Sequence, residues 1–260
     1  MIRALFLDVD GTLISFTTHR IPDSALDALL RAHGRGVRIF IATGRAANDL
    51  EPLAGIPYDG VVSLNGACCV AADGHVVSRH PIPRADFVRA MELGRQYDFP
   101  VALEMESGVF VDRVTPAVER VARMVAHPVP EQTDLYALFD RSECCQLCFY
   151  FDAETERRVM DELPSLVASR WCPYFADVNV RGIDKATGMR EFMAAYGLTA
   201  AEVAAFGDGG NDVAMLRAAG VGVAMGNACD EALNAADCIA PSVDDDGIAK
   251  ALKHLGVLED

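Results

Sequence analysis

Short, mainly apolar runs of strand length that alternate with helical patterns constrain this chain more than any other feature. The first runs from Ala4 to Val9, the second from Val37 to Ala42 and the third from Gly60 to Leu64. Between the first two, Leu26, Leu29 and Leu30 recur at helical spacing, with Asp23 and Ser24 as cap residues at the start and Gly34 and Gly36 at the end. A strand that is apolar on both faces has to be covered on both, and crossover helices give parallel strands that cover. The alternation resumes after Lys185, with strands expected over Val203 to Phe206, Val221 to Ala224 and Cys238 to Ala240, helices between them and a last helix from Gly247. The expected fold class is α/β, a doubly wound and mainly parallel sheet.

The middle of the chain reads differently. Two hairpin-grade turns, Asn65-Gly66 and Asp73-Gly74, lead to a change of pattern at Pro81-Ile82-Pro83. From Arg84 the expected order is helix, strand Val101 to Met105, strand Val109 to Asp112, helix from Pro116, strand Gln146 to Asp152, helix, then strands near Val167 and over Asp177 to Val180. That order describes an α+β module. The expected domains are therefore 1–80 joined with 184–260, and 81–183 inserted between them.

Composition removes several function classes. The chain carries 23 basic and 38 acidic residues, a net charge of −15, the wrong sign for a nucleic-acid binder or an anionic membrane. No apolar stretch reaches the ~18 to 20 residues of a membrane span. The apolar start Ile2 to Leu7 meets Asp8 too soon for a secretory signal, so a cytoplasmic location is the expectation. Eight cysteines are too few for a disulfide scaffold, and Cys145-Gln-Leu-Cys148 lies in a strand-like run, where an i, i+3 pair points to opposite faces. These cysteines read as core thiols.

Four short motifs fall where strands end and helices begin. Asp8-Val9-Asp10-Gly11-Thr12 puts two carboxylates on one face at a strand's carboxyl end, the edge where open α/β sheets bind ligands. Two carboxylates in such proximity differ in proton affinity, so one can act ionised and the other as an acid. Thr43-Gly44-Arg45 ends the second strand with a hydroxyl, free N–H groups and an expected helix N-terminus, groups that can hold a phosphate. Lys185 opens a helix. Gly207-Asp208-Gly209-Gly210-Asn211-Asp212 offers carboxylate and amide oxygens suited to Mg²⁺, and it does not spell the glycine loop of a dinucleotide site.

In this order, the four motifs resemble those of the haloacid dehalogenase superfamily of phosphotransferases, from Asp8 to the closing Asp246-Gly247-Ile248-Ala249. Ser63-Leu-Asn-Gly-Ala67 and Gly222-Val-Ala-Met-Gly226 are similar to the Cof-type sugar-phosphate phosphatases, a branch with a type 2B cap domain. Spacing agrees independently. The stretch between Asp10 and Thr43 holds only a helix and a strand, whereas the stretch up to Lys185 leaves roughly a hundred residues for a separate domain.

The resemblance implies a Rossmann-like core with an inserted cap, and an Mg²⁺-dependent hydrolase of hexose or other sugar phosphates. It implies Asp8 as nucleophile, Asp10 as acid and then base, and Mg²⁺ held by Asp8, the backbone carbonyl of Asp10 and Asp208, with Asp212 as a further or indirect ligand. Thr43, Gly44, Lys185 and Asn211 would bind the phosphoryl group, while Arg45 could join them or pair with a carboxylate such as Asp49. Asp177, Asn179 and Arg181, alternating on the last strand of the middle segment, are the expected substrate-reading residues. A small phosphomonoester is the expected partner, for a monomer or weak homo-oligomer. Two alternatives stay open: a hexose phosphomutase of the same type, and a sugar-phosphate sensor, against which the second acidic group, Asp10, argues.

Overall fold

Successive side chains of the strand Ala4–Leu7 (β1) enter two different hydrophobic cores, Ala4 and Phe6 one and Leu5 and Leu7 the other. That division is what a doubly wound sheet requires, and it follows from the two-residue period of a strand. The computed structural model describes residues 1–125 and 127–259. After β1 come α1 (Asp23–Gly34), β2 (Arg38–Ala42), β3 (Gly60–Ser63), β4 (Cys68–Ala71) and β5 (Val76–Arg79). The middle of the chain forms α2 (Arg84–Gln96), β6 (Val101–Met105), β7 (Gly108–Val111), α3 (Pro116–Met124), β8 (Glu131–Gln132), α4 (Leu135–Phe139), β9 (Gln146–Phe149), α5 (Ala153–Asp161), β10 (Leu166–Cys172) and β11 (Phe175–Val180). The last part adds α6 (Lys185–Tyr196), β12 (Val203–Gly207), α7 (Val213–Ala218), β13 (Val221–Ala224), α8 (Asp230–Leu233), β14 (Cys238–Ile239) and α9 (Gly247–His254).

Two compact units result, Met1–Ser78 with Asp184–Asp260, and Arg79–Ile183. Among the described residues the first unit has a sheet of order β14-β13-β12-β1-β2-β3-β4-β5, parallel from β14 to β3 and antiparallel from β3 to β4. From β1 the chain winds outward through β2 and β3, and on its return it lays β12 on the other side of β1. The switch in winding direction therefore falls between β1 and β12, and it is at the carboxyl ends of strands at such a point that open α/β sheets bind ligands.

Helices α1 and α9 cover one face of this sheet, while α6 and α7 cover the other. On the α6 face the rings of Phe6 and Phe40 stack at 4.7 Å, and Phe192 of α6 lies 4.7 Å from Phe40. Each such buried ring contributes about 1.5–3 kcal/mol of burial free energy. Pro22 precedes α1 without a side-chain cap bond, and the expected cap residue Ser24 instead donates from Oγ to Asp246 Oδ1 at 2.6 Å. The run Asp244 to Asp246 likewise makes no side-chain cap on α9.

In the second unit the sheet order is β10-β11-β9-β6-β7-β8, antiparallel except for β7 with β8. One face packs Leu103, Leu147, Phe149 and Val178 against α2, and the other packs Ala102, Cys148 and Tyr150 against Val118 and Val121 of α3. The short elements β8 and α4 have no counterpart in the sequence reading, because two and five residues are too few to establish a period. No helix among the described residues is long and apolar enough to cross a membrane.

Candidate active site

The loops that leave β1, β12 and β2 lie side by side because those strands are neighbours. Asp8 continues the β1 pairing by one residue, its N–H donating to Phe206 O at 3.0 Å. Three positions past Asp8 the chain turns sharply through Gly11, at φ 89°, where a Cβ would sit 2.1 Å from Asp208 Oδ2. Only glycine lets the loops after β1 and β12 come this close.

Asp8 is buried and accepts from Lys185 Nζ at 2.6 Å through Oδ1, while its Oδ2 is buried without a hydrogen-bond partner. Lys185 is the first residue of α6, whose N-cap Asp184 accepts from Thr187 N–H at 2.8 Å. The lysine is fully buried and also donates to Asp212 Oδ1 at 2.7 Å. The other oxygen of Asp212 accepts from the N–H groups of Asp208 at 3.0 Å and Gly209 at 2.9 Å. Asp212 therefore anchors Lys185 and closes the loop after β12 at once.

Charge is unevenly balanced in this cluster. Burial, followed by repulsion from Asp212, holds the Asp8 carboxyl well above the usual range, and Lys185 offsets this only in part. Burial and Asp212 push Asp208 up to about 6. Burial pulls the Lys185 ammonium down, yet Asp212 and Asp8 together keep it above the ordinary lysine value. Asp8, Asp208 and Asp212 each offer an oxygen, and these atoms lie within 4.8 Å of one another. All-oxygen donors, excess negative charge and the uncommitted Asp8 Oδ2 fit a hard divalent cation.

Asp10 points elsewhere. Its Oδ1 and Oδ2 accept from Arg45 Nη2 at 2.7 Å and Nε at 2.9 Å, and Arg45 Nη1 reaches Asp49 Oδ2 at 3.5 Å. Of the two roles left open for Arg45, the structure displays the carboxylate pair, with Asp10 as the nearer partner. Thr43 is buried, and its Oγ1 accepts from Arg45 N–H at 3.1 Å. The helix N-terminus expected after Thr43-Gly44-Arg45 does not form. Asn48 and Asp49 favour turns and Pro52 disfavours a helical residue before it, so only a 3₁₀ turn follows, at Glu51–Leu53.

Asn211 donates from Nδ2 to Asn65 Oδ1 at 3.1 Å. Asn65 is itself buried, in the left-handed region at φ 55°. Three residues near this cluster were not among the expected site residues: Asn65, expected only as a turn residue, exposed Phe16, whose Cε2 would lie 2.6 Å from a Cβ on Gly11, and Asn227, which donates to Gly11 O at 2.8 Å. Asn65 lies inside the Ser63–Ala67 stretch and Asn227 directly follows Gly226, so both were adjacent to a visible signal.

The residues expected to read the substrate separate. Asp177 and Asn179 are buried on one face of β11, and Asn179 Nδ2 donates to Cys145 O and Gln146 Oε1, both at 3.1 Å. Arg181 lies one residue beyond β11 and extends the pairing with its N–H on Ser165 O at 2.8 Å, but unlike Asp177 and Asn179 its side chain is exposed, and its Nε donates to Pro164 O at 2.7 Å. Cys148 offers its sulfur within 4.8 Å of carboxylate oxygens of Glu104 and Asp177. Burial and these two carboxylates push its thiol well above the usual range, and a protonated thiol is a poor metal ligand.

A buried carboxylate braced by a helix-starting lysine, at the switch point of a doubly wound sheet, defines a class of phosphoryl-transfer hydrolases. Residues 5–252 match the haloacid dehalogenase-like hydrolases, and the chain belongs to that family. It is a phosphatase of that type. The structure of BT1666 from Bacteroides thetaiotaomicron, a phosphatase of this superfamily, is 55% identical with a TM-score of 0.96, covering 99% of this chain and 96% of its own. The subclass IIB sugar phosphatase BT4131 is 36% identical with a TM-score of 0.88, over 98% of this chain and 100% of its own. The 5-amino-6-(5-phospho-D-ribitylamino)uracil phosphatase YcsE of Bacillus subtilis (strain 168) is 29% identical over 97% of this chain and 95% of its own.

Proposed function

We propose that this phosphatase hydrolyses phosphate monoesters of small polyhydroxylated metabolites, sugar phosphates foremost, through a phosphoryl group carried on Asp8. The observation that carries the reading is Asp8 itself, a buried carboxylate fixed through Oδ1 to Lys185 and uncommitted at Oδ2. The names of two relatives support the substrate class: one is a sugar phosphatase, and the other acts on a phosphorylated ribityl chain.

In the first step an Asp8 oxygen bonds to phosphorus as the bond to the leaving alcohol breaks, and Asp10 gives that alcohol a proton. In the second step Asp10 takes a proton from water, the water oxygen bonds to phosphorus, and the bond to Asp8 breaks to release inorganic phosphate. Asp10 accepts from Arg45 at both oxygens. Delivery of a proton to the alcohol thus requires Arg45 to release at least one of them. Thr43, the Gly44 N–H and the Asn211 amide supply donors for the phosphoryl oxygens, and Lys185 holds Asp8 in place. Asp8, Asp208 and the backbone carbonyl of Asp10 would hold Mg²⁺, with Asp212 acting through Lys185 and the loop; when bound, the ion offsets the negative charge of the carboxylates and phosphate. The second unit, taken as a type 2B cap, selects the alcohol.

The test is release of inorganic phosphate from a panel of hexose, pentose and polyol phosphates, nucleotides and pyridoxal phosphate, with Mg²⁺ and after chelation. Sugar or polyol phosphates are expected to lead, and chelation to abolish turnover reversibly. Failure on every ester would reject the substrate class, and full activity after exhaustive chelation would reject the cation.

A further inference from the structure

Asn227 follows β13 at the same sheet edge as Asp8 and Asp208, and the steps above make no use of it. The pairing of β12 with β13 runs on past the strand, with Met225 N–H donating to Gly207 O at 3.0 Å. The chain then crosses the segment after β14 so closely that a Cβ on Gly226 would lie 2.8 Å from Ser242 N and 3.0 Å from Ala240 O. Asn227 thereby reaches three segments at once. Its Nδ2 donates to Gly11 O at 2.8 Å and faces Asp208 Oδ2 at 3.4 Å, and its Oδ1 accepts from Val243 N–H at 2.9 Å.

Two backbone partners decide which way this amide points. Val243 N–H can only donate and Gly11 O can only accept, so Oδ1 has to face the first and Nδ2 the second. The second Nδ2 hydrogen is left for Asp208. At 3.4 Å that bond is long, and it steers a carboxylate more than it stabilises one. Asp208 Oδ2 is also bounded by Gly11, where a Cβ would approach to 2.1 Å. A carboxylate oriented before a cation arrives has less freedom to lose on binding.

We propose that Asn227 is a positioning residue that orients Asp208 for a divalent cation and ties it to the nucleophile loop through Gly11. The proposal rests on the reading of Asp208 as a ligand. Direct Mn²⁺ binding without substrate, by calorimetry or electron paramagnetic resonance, tests it. Asn227→Ala should weaken binding about 10- to 100-fold. In an Asp208→Glu background, whose longer side chain displaces the carboxylate from Asn227, the same change should cost less than about threefold.

A role confined to the backbone bonds predicts equal losses in both backgrounds, and equal losses or no loss would overturn the proposal. Should Asn227→Ala fail to fold, the unsubstituted protein decides the matter. Its Asn227 side-chain amide signals should shift with Mg²⁺ and saturate with binding, and unmoved signals would overturn the proposal. An unsubstituted chain that binds no Mn²⁺ would sink the ligand reading of Asp208 itself, a different failure from Asn227→Ala binding as well as the parent.

Discussion

Lys185 and Asp8, 177 positions apart in the chain, meet at 2.6 Å in the interior. The same ammonium holds Asp212 at 2.7 Å, so one buried cation serves two buried carboxylates, with Asp208 close by as a third. Burying a charge without partners costs several kcal/mol, and this cluster remains short of positive charge even with its lysine. The shortfall is the physical basis for expecting a cation there, and it sets the sign of the first two predictions.

Replacing the lysine should hurt both stability and turnover. Lys185→Met keeps much of the stem but leaves Asp8 and Asp212 without their shared partner, and breaking a buried ion pair from one side costs about 3–5 kcal/mol. Urea unfolding in chelator measures the loss. Phosphatase turnover should fall by at least ~10²-fold. A variant as stable as the parent would show that the triad is not held as described.

Asp8→Asn should separate activity from stability. Because burial and Asp212 raise the Asp8 carboxyl above its unfolded value, the ionised form is a net cost to the fold at neutral pH. That cost recedes as pH falls through the raised value. In chelator near pH 7, Asp8→Asn should therefore melt no lower than the parent, while turnover disappears. Residual turnover above a trace in undeamidated protein would exclude Asp8 as nucleophile.

Glu202 gives a titration remote from the carboxylate cluster. It accepts from Arg3 Nη1 at 2.8 Å, from Thr199 N–H at 2.9 Å and from Thr199 Oγ1 at 2.8 Å, and Arg3 first, then Thr199, bring its carboxyl down to about 2. A lowered value means a stabilising contribution that is complete above the unfolded value, near 4.5, and lost as pH falls through about 2. Carboxyl NMR should show that low midpoint, and Arg3→Ala should raise it. A midpoint unchanged by Arg3→Ala would deny the arginine its leading part.

Substrate ranking should respond to Asp177 and not to Arg181. Asp177→Asn, nearly isosteric, is expected to change the ratio of kcat/KM between two sugar phosphates by roughly tenfold, the scale of one altered polar contact. Arg181→Ala should leave the ratio alone, because its guanidinium is occupied with Pro164 O. Acetyl phosphate hydrolysis should persist in both variants. A ranking that shifts with Arg181 and ignores Asp177 would reverse the assignment.

Much of the first sheet was legible because its strands are buried on both faces, and a continuous apolar run survives as a signal in one dimension. Asp8, Thr43 and Asp208 were legible for a related reason: each stands at the point where such a run stops, while Lys185 stands at a helix start. Legibility ended where a partner had to be chosen among several. Arg45 had Asp49 four positions away, the pairing that local spacing favours, yet its bidentate partner is Asp10, brought beside it by the pairing of β1 with β2. Lys185 was expected at a helix start as a phosphate-binding group, but its two carboxylate partners, Asp8 and Asp212, and its full burial are set by the fold. In the row Asp177, Asn179, Arg181 the last side chain is exposed and the first two are buried, and burial at the end of a strand depends on neighbours that are distant in sequence.

By itself the sequence determined the chemistry available: carboxylates, a lysine, hydroxyl and amide groups at the ends of buried strands, in a doubly wound α/β order. Those properties follow from side-chain type and from periods of 2 and 3.6 residues, which are local. Only the tertiary structure decided which groups meet. Asn227 lies 216 positions from Gly11, and Lys185 lies 177 from Asp8. Hydrogen bonds and ion pairs act over about 3 Å, so their partners are set by which strands lie adjacent, and the return of β12 to the free side of β1 is a property of the whole folded sheet.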